Sequence, residues 1–434
     1  MATVTEDARP AAPATLREAT PVWLRIGLLS FGGPAAQIAL MHRMVVEERG
    51  WLTERQFLDA LSFCMLLPGP EAMQLATYAG WRMHGVRGGL VAGGLFVLPG
   101  AVVIAVLAAL YARLGDLPLA QALFLGVKAA VLVIVVEALL RVARRALAGP
   151  EAWMLAGAAF VALFAFAVPY PLVVAAAAIW GWARLRDGRA EDTAALPAAA
   201  SWASTMRVLG LWGALWLMPL AALHVVAPPV LAEIGRFFSV LAVVTFGGAY
   251  AVLAYMTQEA VATHGWLTTG EMMDALGLAE TTPGPLILVT EFVGFLAAER
   301  AAPPGSSLAW GLAGAAVTLW VTFVPCFLFV FAGAPWIERL SSRPGLRAAL
   351  AGVSAAVVGV IANLSLWFGL HVLFAAVSTR EAGPVRLAMP DPASFDWRSA
   401  LIAAGAAVLL LRLHRGIPLT LALCSAAGVM LAAA

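Results

Sequence analysis

Charge is scarce in this chain. Among 434 residues only 12% are charged and 62% are hydrophobic, against roughly 25% and 45–50% in a soluble domain. With a mean hydropathy of +0.89, the composition excludes an ordinary soluble enzyme and places most of the chain in lipid. Lys128 is the only lysine. The net charge of +2, with no basic stretch interleaved with aromatics, gives no sign of a nucleic-acid partner. The three cysteines, Cys64, Cys326 and Cys424, lie in apolar segments without CxxC spacing, so they read as space-filling thiols. The six histidines form no HxxxH or HExxH pair, which argues against a metal. No Walker A sequence points to an ATP-driven pump, and no GxSxG marks a nucleophile. No cofactor fingerprint appears. Residues 1–16 lack the apolar core of a signal peptide and read as a short disordered tail.

What the chain does have is a copy of itself. Ser30-Phe31-Gly32-Gly33-Pro34, Gly50-Trp51-Leu52-Thr53 and Pro68-Gly69-Pro70 return, 215 positions on and without a gap, as Thr245-Phe246-Gly247-Gly248-Ala249, Gly265-Trp266-Leu267-Thr268 and Pro283-Gly284-Pro285. About 17 of roughly 40 positions from Phe31 to Pro70 are identical in the two copies. At an offset of 226, Pro99 falls on Pro325 and Gly126-Val127 on Gly352-Val353. A duplicated unit with paired helix breaks in an apolar chain is a recurrent sign of a secondary transporter.

The periodicity predicts an all-α polytopic membrane protein with two homologous, inverted repeats and about 13 membrane segments. Residues 17–184 form the first repeat, 185–229 a connector with one unpaired span, and 230–434 the second repeat. In the first repeat, 17–46 is broken at the double glycine and 56–81 at Pro68-Gly69-Pro70. Glycine and proline are each costly in a helix interior, and proline suits the first turn of a new helix. Each flank of Pro68-Gly69-Pro70 is about 11 residues, or some 16 Å, half a bilayer. That length fits a broken span or a re-entrant hairpin; the broken span is the reading taken. Spans at 88–113, 118–141, 151–167 and 170–184 follow, then 203–226. The second repeat reads as 230–257 and 271–298, both broken, then 308–333, 346–375, 398–412 and 417–434. Arginines cluster in loops that fall on one side in this count, which makes that side cytoplasmic, with the N-terminus inside and the C-terminus outside.

Half-helices that begin near the midplane present free N–H groups and a partial positive charge, a cradle for an anion that needs no fixed cation. The candidate binding residues are therefore Ser30, Gly32, Gly33, Pro34, Gly69, Pro70, Thr245, Gly247, Gly248, Thr281, Thr282, Gly284 and Pro285. The hydroxyls can donate to oxyanion oxygens, or bond back to their own helices. Lys128 joins the set because an ionisable group inside an apolar span is a functional hypothesis by default; the competing reading is a lysine reaching for the interface. Arg25 is a weaker candidate. Glu71, beside Gln74 one turn later, either caps its half-helix or carries a proton. Glu280 and Glu291, around the second break, carry the same two readings.

These motifs resemble the chromate ion transporter family, long two-domain type. The resemblance rests on Phe31-Gly32-Gly33-Pro34, Gly50-Trp51-Leu52, Leu67-Pro68-Gly69-Pro70-Glu71, Phe246-Gly247-Gly248-Ala249-Tyr250 and Glu280-Thr281-Thr282-Pro283-Gly284-Pro285. It implies a bacterial inner-membrane carrier that exports chromate and confers resistance, driven by the membrane potential or a proton gradient. Its partners would be chromate or a sulfate-like oxyanion and the bilayer; a homodimer is left open. A passive anion channel on the same scaffold is the main alternative. A membrane-embedded chromate reductase has no paired cysteines or redox motif to support it.

Overall fold

The computed structural model describes residues 14–184, 201–246, 249–337, 343–383 and 385–433. Residues 1–13 of the tail read over 1–16, and 185–200 of the connector read over 185–229, lie outside the described residues.

Four short helical limbs open the chain. α1 is Leu16–Leu29, α2 Gly33–His42 with a π turn Arg43–Glu47, and α3 Glu54–Cys64; α4, Glu71–Leu114, begins straight after Pro70. The same order returns as α9 Pro229–Val244, α10 Ala249–Gln258 with a π turn Glu259–Thr263, α11 Thr269–Thr281, and α12 Val289–Arg300. The repeated Gly-Trp-Leu-Thr is explained locally. Its Thr53 and Thr268 are N-caps of α3 and α11, each in a capping box, with Gln56 and Glu271.

The broken segments do not run straight through. Fifteen residues of continuous helix would separate Phe63 from Tyr78 by about 22 Å, yet their rings lie 6.0 Å apart, so α3 and the start of α4 fold back on each other. Trp23 on α1 meets Trp51, beyond α2, at 6.1 Å. Phe237 on α9 meets Trp266, beyond α10, at 5.6 Å. Arg300 at the end of α12 pairs with Glu271 at the start of α11 and donates to the Trp266 carbonyl at 2.6 Å. All four broken segments are hairpins, and the described tips carry Gly32, Gly33, Gly69 and Gly284. The broken-span reading is corrected by these contacts. The physical reason is packing: in each segment of limbs 10–16 residues long, a side chain from beyond or near the far end of one limb meets the other limb, so the chain turns back at the break.

α4 itself folds at His84 and Gly85, which leave helical geometry. Its limbs, 71–83 and 86–114, pack face to face through Gly80 and Gly88, where a Cβ on either would strike the other's backbone. Gly294 on α12 and Gly314 on α13, Ser307–Gly333, make the same contact in the second half.

The remaining helices surround the hairpins: α5 Pro118–Ala146, α6 Pro150–Phe166, α7 Tyr170–Arg184, α8 Trp202–Val226, α14 Pro344–Leu373, α15 Trp397–Ala407 with a π turn Val408–Arg412, and α16 Ile417–Ala433. Five described helices are long and apolar enough to cross a membrane. The halves pack by exchange. Gly126 on α5 lies against Cys424 and Gly428 of α16, and Gly352 on α14 against Ala177 and Gly181 of α7. Small residues here let backbones touch where lipid offers no hydrophobic drive between helices. α8 has no counterpart; it leans on α9 and α13 through Trp216 donating to Ser239 at 3.0 Å and Trp320 donating to the Leu215 carbonyl at 3.0 Å. An antiparallel hairpin, β1 Val377–Ala382 with β2 Val385–Pro390, is inserted between α14 and α15. It fell in the gap between the 346–375 and 398–412 spans of the sequence reading.

Candidate functional site

The hairpin tips meet, and they meet across the two halves. The Gly69 amide donates to the Thr245 carbonyl at 2.9 Å, and the Gly284 amide donates to the Ser30 carbonyl at 2.9 Å. Each bond joins a Pro-Gly-Pro tip of one half to the double-glycine break of the other. The tips demand glycine. Gly69 has φ +121° and Gly284 φ +90°, and a Cβ at Gly69 would come within 2.8 Å of Gln74 Nε2 and 2.9 Å of Cys326 Sγ. Gly100, the repeat mate of Cys326, lies against Pro283 and Gly284 in turn.

Two glutamines complete the crossing. Gln37 Nε2 donates to the Gly284 carbonyl at 2.6 Å and to the Ser30 carbonyl at 3.3 Å. Gln74 Nε2 donates to the Pro68 carbonyl at 2.6 Å. Carbonyls at the ends of helices carry partial negative charge, and these bonds occupy several of them. The helix starts are left open: α2 and α4 have no side-chain cap, and nothing stands within 4 Å of where a Cβ on Gly33 would sit. Gln37 was not singled out in the sequence. Its signal was a polar residue one turn after Gly33-Pro34 in an otherwise apolar limb.

The hydroxyls take the second of their two sequence readings. Ser30 donates to the Ile26 carbonyl at 2.6 Å, Thr245 to Leu241 at 2.5 Å, Thr281 to Leu278 at 2.8 Å and Thr282 to Ala279 at 3.1 Å. Their protons are spent on their own helices, while their oxygens keep acceptor capacity. Pro34 and Pro70 stand at or just before the starts of α2 and α4, and Pro285 precedes the short 3₁₀ turn Leu286–Leu288 that leads into α12. Glu71 occupies the first turn of α4. Gly247 and Gly248 lie outside the described residues.

Lys128 is not at the crossing. Its Nζ lies 3.4 Å from Asp274 Oδ2 on α11, and Tyr111 donates to the same oxygen at 2.8 Å. The group borders a cavity of about 580 Å³ that also includes Gln121, Glu271 and Arg300. Asp274 Oδ1 is buried without a partner. The repeat mates of these residues cannot build the same group: Asp59 pairs with Arg55 on an exposed face, and Ser354 and Ile337 replace Lys128 and Tyr111.

A second buried carboxylate stands beside the crossing. Tyr250, in the first turn of α10, donates to Glu280 Oε1 at 2.7 Å, and Glu280 Oε2 is buried and unpartnered. Its repeat mates are Ala35 and Met65. Glu291 Oε2 is likewise without a partner. Among the described residues no cluster of three or more His, Cys, Asp or Glu side chains could hold a metal.

Repeated helical units, apolar helices of membrane length and interrupted limbs that converge on one crossing define an all-α polytopic membrane transporter. The family follows from comparison. The chromate transporter family matches residues 18–182 and 232–430, one stretch in each half, and the chain belongs to that family; it is a transporter, not an enzyme. The chromate transport protein of Cupriavidus metallidurans is 31% identical over 356 residues, covering 80% of this chain and 81% of the relative. The chromate transport protein of Pseudomonas aeruginosa is 32% identical over 343 residues, covering 78% and 77%. An uncharacterized transporter of Methanocaldococcus jannaschii is 22% identical over 355 residues, covering 81% and 83%. No solved structure matches the chain.

Proposed function

We propose that the chain is a secondary carrier of the bacterial inner membrane that exports chromate, or a tetrahedral dianion of the same shape such as sulfate, and so confers chromate resistance. The anion would sit at the crossing, against the amides of Gly32 and Gly33 and the uncapped starts of α2 and α4, with Gly247, Gly248 and the second-repeat break completing the cradle. The observation that carries this reading is the reciprocal pair of bonds from Gly69 to Thr245 and from Gly284 to Ser30. It ties the breaks of both halves into one locus, where tip carbonyls are occupied and helix-start amides are free. An N-terminus of this kind binds an anion without a cation, which also lets a carrier release it. Glu71 lies in the first turn of α4; an ionised carboxylate there competes with the anion for the same dipole.

The division into a first repeat over 17–184, a connector over 185–229 and a second repeat over 230–434 is supported by the two matched stretches. With the four hairpins entering and leaving on one face each, nine segments cross: the second limb of α4, α5 to α8, and α13 to α16. α13 is then displaced from the second limb of α4 by five places in the order of crossings. The odd displacement inverts the second half, as a displacement of seven does in the thirteen-span count. The loops bearing Arg82 and Arg87, Arg141 to Arg145, Arg343 and Arg347, and Arg412 and Arg415 still share one side. That side is cytoplasmic by the excess of arginine, the N-terminus is inside and the C-terminus outside. The Lys128–Asp274 cavity then opens outward.

The test is uptake of radiolabelled chromate and sulfate by everted vesicles, with and without a proton gradient, followed by counterflow in proteoliposomes. A carrier gives saturable uptake and counterflow. Uptake that does not saturate and shows no counterflow would assign the scaffold to a passive anion channel.

A further inference from the structure

Two buried carboxylates on α11 are built alike. Asp274 and Glu280 each accept a phenol on one oxygen, from Tyr111 at 2.8 Å and from Tyr250 at 2.7 Å. In each the other oxygen is buried with no partner. A carboxylate with one buried oxygen that has no protein partner is costly as an anion inside a membrane protein and less so as the neutral acid. That chemistry suits a group which alternates between the two forms.

Their placement gives the alternation a direction. α5 runs beside α11 in the same sense: Lys128 faces Asp274 and Gly270, and Val127 and Val131 face Gly277. Further along α5, Glu137 accepts from Arg141 at 2.5 Å, and both are partly exposed, 28% and 39%. Among the described residues, the charged and titratable groups acting on Glu280 are Tyr250 from α10 and Arg141 and Glu137 from α5. Those acting on Asp274 are Lys128 from α5, Tyr111 from α4 and Glu271 on its own helix, which Arg300 of α12 holds. Asp274 and Glu280 are six residues, about 9 Å, apart along the helix; Lys128 and Glu137 are nine residues, about 14 Å, apart along theirs. The three carboxylates thus follow one another in axial order along the α5–α11 pair: Asp274 at the 580 Å³ cavity by Lys128, Glu280 at the crossing, and the Glu137–Arg141 pair beyond it.

The geometry points to Glu280 as the proton carrier that couples the proton gradient to oxyanion export, with Asp274 as its proton inlet and Glu137 as its outlet. This rests on the carrier reading above. The Glu280 carboxylate takes a proton that arrives through the Asp274 cavity, becomes the neutral acid, and gives the same proton up toward Glu137. One O–H bond forms and one breaks at each transfer, and no oxidant or reductant is needed. Because Glu280 precedes Thr281, Thr282 and the Gly284 tip, and Tyr250 follows the second double glycine, protonation acts on the two elements that close the crossing. The first repeat has Met65 and Ala35 at these positions, so the pathway is one-sided.

The experiment uses the full chain in proteoliposomes with the membrane potential clamped by potassium and valinomycin, and labelled chromate and sulfate as probes. Wild type is expected to show counterflow at equal pH, and accumulation when the lumen is acid. Glu280→Gln is expected to retain counterflow and lose the gradient-driven accumulation. Tyr250→Phe, which keeps the carboxylate, is expected to accumulate anion with its pH profile displaced. Glu280→Gln accumulating as wild type does, or losing counterflow together with accumulation, would overturn the assignment. An undisplaced Tyr250→Phe profile would overturn it too, and that variant decides the matter if Glu280→Gln does not insert. Wild type without counterflow would instead remove the carrier reading on which the assignment stands.

Discussion

The Gly69 amide donates to the Thr245 carbonyl at 2.9 Å, and 215 positions further on the Gly284 amide donates to the Ser30 carbonyl at the same distance. Each half thus supplies the tip to one bond and the break to the other. Neither half can build the crossing alone, because the carbonyl that satisfies its tip belongs to the other.

That dependence makes Gln37 a structural pin. Gln37→Leu keeps the volume but removes the donor that reaches both Gly284 and Ser30. A buried carbonyl left without its partner costs about 1–3 kcal/mol. The variant is expected to insert, to inactivate at a lower temperature in detergent, and to transport poorly. Thermal inactivation equal to wild type would show that other donors hold the tips.

Gly32→Leu separates folding from binding. The residue has φ +83°, and only Ala36 Cβ, at 3.5 Å, stands near where its Cβ would be. The left-handed backbone costs about 1–2 kcal/mol for a residue with a Cβ, which a large membrane protein tolerates. Expression and insertion should be close to wild type, while chromate uptake by everted vesicles is lost. Unchanged uptake would count against an anion at the α2 start. The same outcome is expected for Gly247→Leu.

Lys128 is tied to Asp274, so its removal should act through that partner. Lys128→Ala leaves Asp274 with Tyr111 alone. Breaking a buried pair costs about 3–5 kcal/mol, and the solvent that reaches Lys128 reduces this to about 1–3. The double variant Lys128→Ala with Asp274→Ala should recover part of the loss in a thermal-stability cycle. Purely additive losses would mean that the pair does not couple the two halves.

Glu71→Gln removes a negative charge from the first turn of α4. Chromate should bind more tightly, with a lower KM, and the pH dependence of coupling should remain, because Glu280 carries the proton. A lost pH dependence would move the proton to Glu71 and leave Glu280 as a structural acid.

Much of this architecture was legible in the residues. Gly32-Gly33-Pro34 and Pro68-Gly69-Pro70 interrupt helices wherever they occur, and a gapless 215-residue offset ties the interruptions into pairs. The direction the chain takes after each break was not legible. Whether a limb continues or turns back is decided by what it packs against, such as Trp51 against Trp23 or Tyr78 against Phe63, and neither pair is periodic in sequence. The partner of Lys128 was hidden for a similar reason, since Asp274 is a repeat mate of Asp59 and only one of the two faces a lysine. The hairpin of β1 and β2 is short and half polar and read as a gap between spans. The back-bonded hydroxyls of Ser30 and Thr245 were one of two open readings, because a serine at a helix end serves either use.

The most direct measurement is an experimental structure determined with chromate present, with the anion located by its chromium anomalous signal or by density. The predicted result is one oxyanion within hydrogen-bond distance of the Gly32 and Gly33 amides, between the Gly69 and Gly284 tips. An anion held instead by Lys128 in the outer cavity, or tips drawn apart to opposite faces of the membrane with no anion between them, would contradict the account.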